Sequence, residues 1–351
     1  MPLLTTTIGA YPKPDFIPIV DWFRADAGPD TADPTAAYLD GLAAMGAEAE
    51  ALFARGARAV IDDQVAAGVD IPTDGEVRRE NYIHYHCRHL DGIDFSVLTE
   101  RAVRGGTYAA RLPTITGPIS ARDHFLPHDW QVAQAATDRP VKITMPGPMT
   151  LGDTVADAYY DDPRRRGADI ADALNAEVLA LAEAGCRHIQ VDEPVFARKA
   201  DEALDFGFEN LERCFHNCPP QVTRTVHMCC GYPDRLDHPD YPKAPLEAYR
   251  RLARAIDESS IQAVSIEDAH RHNDLSLLEL FQHTTVIFGA VAVARSRVET
   301  VDEIRDRLAA ALGHIDAARL VAAPDCGLGL LGRDLARAKL ANLCAAAHSL
   351  G

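Results

Sequence analysis

Val222-Thr223-Arg224-Thr225-Val226-His227-Met228 is a short run of β-branched and apolar residues that stops at Cys229-Cys230-Gly231. The next strongly patterned segment, residues 245–258, carries Ala, Leu, Glu and Arg at helical spacing. A strand, a loop and then an amphipathic helix make one βα unit, and repeating that unit builds a parallel sheet. The same rhythm recurs outward in both directions. Strand-like runs lie at residues 5–9, 69–74, 141–145, 188–192, 263–267, 285–290 and 320–324, and helical segments at 35–67, 165–184, 274–281, 301–312 and 333–348. Eight such strands predict an α/β fold, a (β/α)8 TIM barrel, formed as one domain over residues 1–351. One connection breaks the rhythm. Residues 77–140, between the second and third strands, read as an insertion over one barrel face, with Gly105 and Gly106 beside an alternating run, 107–119, that suggests a β-hairpin.

Composition narrows the function classes. With 35 Lys and Arg against 52 Asp and Glu, the formal net charge is −17. Nucleic acid and anionic membrane surfaces need a positive footprint, so neither is expected as a partner. No apolar stretch approaches the roughly 18 residues of a membrane span. The start, MPLLTTTIGAYPKP, lacks a basic segment followed by an apolar one, which makes the cytoplasm the expected compartment. Eight cysteines in 351 residues are too sparse for a disulfide scaffold. They are core thiols, metal ligands or nucleophiles, to be sorted by context.

In a (β/α) barrel the strand ends build the active site. His227 and Cys229, two apart on an extended segment, point to one side, whereas Cys230 faces the other way. The sixth strand ends in Ser265-Ile266-Glu267-Asp268 and the eighth in Pro324-Asp325-Cys326-Gly327. His227, Cys229, Glu267 and Cys326 thus form an N, S, O, S set from three strand ends, a mixture that suits Zn2+. Taken singly, each has a plainer reading, since a lone Cys at a strand end is usually a small buried residue. Two thiolates, one carboxylate and a neutral imidazole around Zn2+ sum to −1. Such a site suits a soft nucleophile: an incoming thiol displaces the carboxylate, loses its proton and stays nucleophilic, which implies alkyl transfer to sulfur.

Seven motifs in order, TTTIGAYP at 5–12, GEVRREN at 75–81, GPMT at 147–150, IQVDEP at 189–194, VHMCC at 226–230, SIED at 265–268 and PDCGL at 324–328, resemble the catalytic C-terminal domain of cobalamin-independent methionine synthases. They span nearly the whole chain, as in short members without the family's N-terminal domain. The resemblance implies a (β/α)8 barrel, zinc held by His227, Cys229, Glu267 and Cys326, and methyl transfer to the thiol of homocysteine. It further implies that Glu76 and Asp192 grip the substrate's amino group, and that the turn Ile8-Gly9-Ala10 receives its carboxylate.

Three departures stand out. Ala10 replaces the family's Ser, leaving only backbone N–H groups for the carboxylate. The stretch Gly147–Asp153 lacks the Trp that stacks on folate. Arg295 aligns with the family's proton-donating His, and a guanidinium binds anions but is no practical general acid. Arg111 and Asp153 are the remaining donor-side candidates, together with Asn81, Tyr82, His84, Tyr85, His86 and His89. These departures leave the methyl donor open: folate, methylcobalamin on a partner corrinoid protein, another small methylated compound, or an epoxide. Two other functions remain in view. One is zinc thiolate alkylation like that of epoxyalkane:coenzyme M transferase, with Arg295 or Arg111 holding an anion. The other is a non-catalytic zinc-binding protein with a closed site.

Overall fold

The computed structural model describes residues 2–19, 34–103, 108–232, 235–238 and 243–350. Ten strands are present among them: β1 (Leu4–Thr5), β2 (Leu90–Val103), β3 (Tyr108–Ala121), β4 (Lys142–Pro146), β5 (Ala156–Asp157), β6 (His188–Asp192), β7 (Thr223–Met228), β8 (Ala263–Ile266), β9 (Thr285–Val291) and β10 (Leu320–Pro324). Seven form one parallel sheet in the order β1-β10-β9-β8-β7-β6-β4. Every residue of β4 and β8 is buried, as expected when helices cover the outside of a curled parallel sheet. The result is an α/β fold of the TIM-barrel kind.

The run at 69–74 is not a ladder strand. It makes only two isolated parallel bridges, Thr6 with Ile71 and Thr73 with Lys142, which touch both ends of the seven-stranded sheet. Side chains take the backbone groups that a ladder would use. Gln64 accepts from the Thr73 amide and donates to the Thr73 carbonyl, Asp70 accepts from the Thr5 amide, and Pro72 has no N–H to give.

The helices that cover the sheet carry their own stop and start signals. Asp162 accepts from the Arg164 amide ahead of the helix Pro163–Ala184, Pro163 needs no donor there, and Gly185 ends it at φ 115°. Thr300 and Glu303 form a reciprocal capping box at the start of Val301–Ala311. The long segment 35–67 divides into Pro34–Met45 and Ala49–Ala67, joined by a 3-10 turn at Gly46–Glu48. Residues 274–281 form a 3-10 helix, Leu275–Leu280, and not an α-helix.

Within residues 77–140 the chain forms the helix Tyr82–Cys87, the antiparallel pair β2 and β3, and the helix Leu126–Gln134. β5 adds to β3 in parallel. Gly105, Gly106 and Thr107 lie outside the described residues. No helix among the described residues is long and apolar enough to cross a membrane.

Candidate active site

His227 and Cys229 stand at the end of β7, and Cys326 follows β10. Their donor atoms all lie within 4.8 Å of one another, with His227 Nε2 3.5 Å from Cys326 Sγ. Ser265 Oγ, on the neighbouring strand in register with His227, is 2.9 Å from His227 Nδ1, so Nε2 is the nitrogen turned to the sulfurs. The close approach of the two sulfurs holds the Cys229 thiol well below the ordinary range, with His227 pulling the same way, and together with burial pushes the Cys326 thiol well above it. Two sulfurs and an imidazole nitrogen this close together make a place where a divalent cation can sit. Tetrahedral zinc with ordinary Zn–N and Zn–S lengths would set N and S about 3.6 Å apart. The observed spacing and the N, S, S chemistry fit that ion.

Glu267, one residue past β8, is buried but falls outside this trio. Its carboxyl groups within 4.8 Å of His270 and Asp325 instead. Burial raises its pKa well above the usual carboxylate range, and the negative charges of Cys229 and Asp325 add to that, while Lys243 and the Cys230 amide oppose it. The second group offers no open ring nitrogen. His270 Nε2 is 3.1 Å from the Ala294 amide and accepts its hydrogen, so Nδ1 carries the ring proton and donates to Asp325 at 2.7 Å. Asp325 also accepts from the amides of Asp268, Ala269 and His270. This bundle pins the loop after β8 to the residue next to Cys326.

Glu76 and Asp192 line the adjoining floor. Asp192 is the cross-strand partner of His227, and Gln190 Nε2 donates to its Oδ1 at 2.7 Å. Burial lifts its pKa to about 6 against the pull of His227. Glu76 adopts φ 57°, a left-handed conformation that costs a non-glycine residue roughly 1–3 kcal/mol. It accepts from Thr144 Oγ1 at 2.8 Å and lies 3.3 Å from Arg79 Nη1. Even so, burial pushes it to about 7.

The Ile8-Gly9-Ala10 turn abuts Glu76. A Cβ on Gly9 would lie 2.6 Å from Glu76 Oε1, and its φ of 154° also favours glycine. Ile8 accepts from Gln190 Nε2, and Ala10 accepts from the Leu328 amide.

The donor-side candidates are more scattered. Arg111 is exposed on β3 opposite Glu100. Asp153 is 2.7 Å from Lys199 Nζ. Arg295 is exposed in the turn after β9. His84 and His86 are buried, and burial depresses both imidazoles. His89 stacks on Phe125. Several residues that shape the site were not picked out from the sequence: Ser265, Thr144, Gln190, Glu193 and Asp325. All but Thr144 sit inside or beside a quoted motif, and a buried polar residue next to a ligand-bearing strand end was the available signal.

Residues 3–349 match the family profile described as the catalytic domain of cobalamin-independent synthase. A methionine synthase from Saccharolobus solfataricus is 27% identical over 349 residues, covering 98% of this chain and 93% of that protein. One from Thermococcus kodakarensis is 27% identical over 350 residues, covering 98% and 92%. Among solved structures, a B12-independent methionine synthase from Shewanella sp. W3-18-1, in complex with selenomethionine, superposes with a TM-score of 0.85 at 31% identity, covering 100% of this chain and 98% of that one.

Proposed function

Because the chain belongs to the family of cobalamin-independent methionine synthase catalytic domains, we propose that it transfers a methyl group to the thiol of homocysteine, using zinc held by His227, Cys229 and Cys326 with Glu267 as the fourth donor. The observation that carries this reading is the meeting of His227, Cys229 and Cys326 beside Asp192, the partner of His227 across the β6–β7 ladder. Zinc at such a site lowers the pKa of a bound thiol and keeps the sulfur nucleophilic.

The chain's own residues do the rest. Asp192 and Glu76 orient the substrate ammonium, and the N–H groups of the turn Ile8-Gly9-Ala10 receive its carboxylate. With both ends of the amino acid held, the sulfur faces the methyl carbon for in-line attack. The S–C bond forms as the bond to the donor breaks, and the donor keeps that electron pair. Glu76, near neutrality in the free site, gives up its proton to the surroundings when a positive ammonium arrives. The related Shewanella protein was solved with selenomethionine, and an amino-acid pocket of that kind is what these residues would form. Two buried carboxyl groups suit an amino thiol better than an anionic thiol such as coenzyme M.

In this reading the bridges of 69–74 to both sheet ends close an eight-membered barrel, and 77–140 is an elaboration of that single domain. Arg111, Asp153 and Arg295 stay assigned to the donor side, and the protein works in the cytoplasm. The test is incubation of zinc-loaded protein with homocysteine and, in separate arms, labelled methyltetrahydrofolate, methylcobalamin and a small sulfonium donor. Labelled methionine in one arm supports the reading and identifies the donor; none in any arm, with thiol binding absent as well, overturns it.

A further inference from the structure

Glu193 is the residue after β6 and is fully buried. Its side chain takes three hydrogen bonds from the first turn of the short helix Pro148–Thr154 that follows β4. Oε1 accepts from the Met149 amide at 2.9 Å, and Oε2 accepts from the Thr150 amide at 3.0 Å and from Thr150 Oγ1 at 2.7 Å. The contact is tight enough that a Cβ on Gly147 would fall 2.3 Å from the Glu193 carboxyl group. The backbone joins in. The Gly147 amide donates to the Asp192 carbonyl at 2.8 Å, and the Glu193 amide donates to the His227 carbonyl at 2.8 Å. One buried side chain thus ties the turn after β4 to the ends of β6 and β7, where Asp192 and His227 stand side by side.

The pairing of those two residues has a chemical consequence. If Asp192 holds the ammonium and His227 belongs to the sulfur site, the separation between them is the length of amino thiol that fits. We propose that Glu193 is a positioning residue that fixes this span, and so sets the preference for homocysteine over cysteine, which is one methylene shorter. This rests on the amino-thiol reading above. Glu193 is buried behind the strand ends and acts through them.

One methylene more or less in a fitted pocket is ordinarily worth about 10- to 200-fold in discrimination. Isothermal titration of the zinc-loaded protein with homocysteine and with cysteine reads the ratio of the two affinities without any methyl donor. Wild type is expected to favour homocysteine within that range. Glu193→Gln keeps the length of the side chain but aims an NH2 at amide donors, and the ratio is expected to fall at least about fivefold toward unity. Thr150→Val removes only the hydroxyl donor and leaves both amide bonds. It should shift the ratio the same way by a smaller factor, and it serves if Glu193→Gln does not fold.

Zinc content is expected to stay at one ion per chain in both variants. Equal losses of affinity for both thiols, with the ratio unchanged, would mean that Glu193 merely supports the fold, and the proposal is wrong. Wild-type protein that binds neither amino thiol would instead overturn the functional reading, and this proposal with it.

Discussion

His227 Nε2 and Cys326 Sγ lie 3.5 Å apart although 99 residues separate them in the chain. β7 and β10 are not neighbours; β8 and β9 stand between them. Only a strongly curled sheet brings the ends of such strands together, so the donor cluster is a product of the barrel's curvature and not of a local motif. The interior face of the same curl places Ser265 behind the imidazole and Asp192 beside it.

Ser265 fixes which imidazole nitrogen faces the sulfurs. Ser265→Ala leaves His227 Nδ1 without that partner and frees the ring to turn. Loss of such an outer partner commonly costs 10- to 100-fold in metal affinity. Competition against a zinc chelator should show a loss of that size for Ser265→Ala with little change in melting temperature. Unchanged zinc affinity would contradict the assignment of Nε2 as the donor.

Glu76 and Asp192 are assigned to the substrate ammonium. Removing one charged hydrogen-bond partner costs about 1.5–3 kcal/mol, roughly 10- to 150-fold at room temperature. Glu76→Gln and Asp192→Asn should each weaken homocysteine binding by that order and leave 4-mercaptobutanoate, which lacks the amino group, nearly unaffected. Glu76 sits near pKa 7 in the free site. Homocysteine binding at pH 6.5 should therefore release more protons in wild type than in Glu76→Gln, measured as the dependence of binding enthalpy on buffer ionisation. Equal proton release would remove Glu76 from the ammonium site.

Lys142 gives a prediction of the opposite electrostatic kind. It is fully buried on β4 with no hydrogen-bond partner for Nζ among the described residues, and burial lowers its pKa from 10.5 to about 7, with Asp192 opposing. Between those two values the unfolded chain holds a proton that the folded protein does not. Stability from this group therefore rises with pH from about 7 to about 10.5, and the full penalty, about 5 kcal/mol, applies below 7. Lys142→Met should be the more stable protein at pH 6, with its advantage shrinking to little by pH 10. Denaturant midpoints across that range check it; parallel curves for the two proteins would show that Lys142 keeps its proton in the folded protein over the whole range, and would contradict the prediction.

The parallel α/β architecture was legible because its signal is repetition: each apolar run and each capped helix repeats one pattern, and no single assignment carries much weight. The run at 69–74 shows where that reading weakens. Its composition is strand-like, yet Gln64 and Asp70 take backbone groups that neighbouring strands would have paired, and a side chain's long-range partner is invisible to periodicity. The site divides in the same way. His227 and Cys229 were readable from alternation along one strand, and Cys326 from its place at a strand end. That Glu267 groups with His270 and Asp325 depends on how the loop after β8 is tied down by Asp325, which no local spacing encodes. Glu193 was overlooked beside Asp192 because its role lies in a turn 43 or more residues away.

Zinc K-edge absorption spectroscopy of the loaded protein, with and without homocysteine, reads the donor atoms around the ion. A shell of one nitrogen, two sulfurs and one oxygen is expected to become one nitrogen and three sulfurs when the thiol binds, with Cys229→Ser or Cys326→Ser lowering the sulfur count by one. A shell that keeps the same atoms when homocysteine is added would contradict that exchange of oxygen for sulfur.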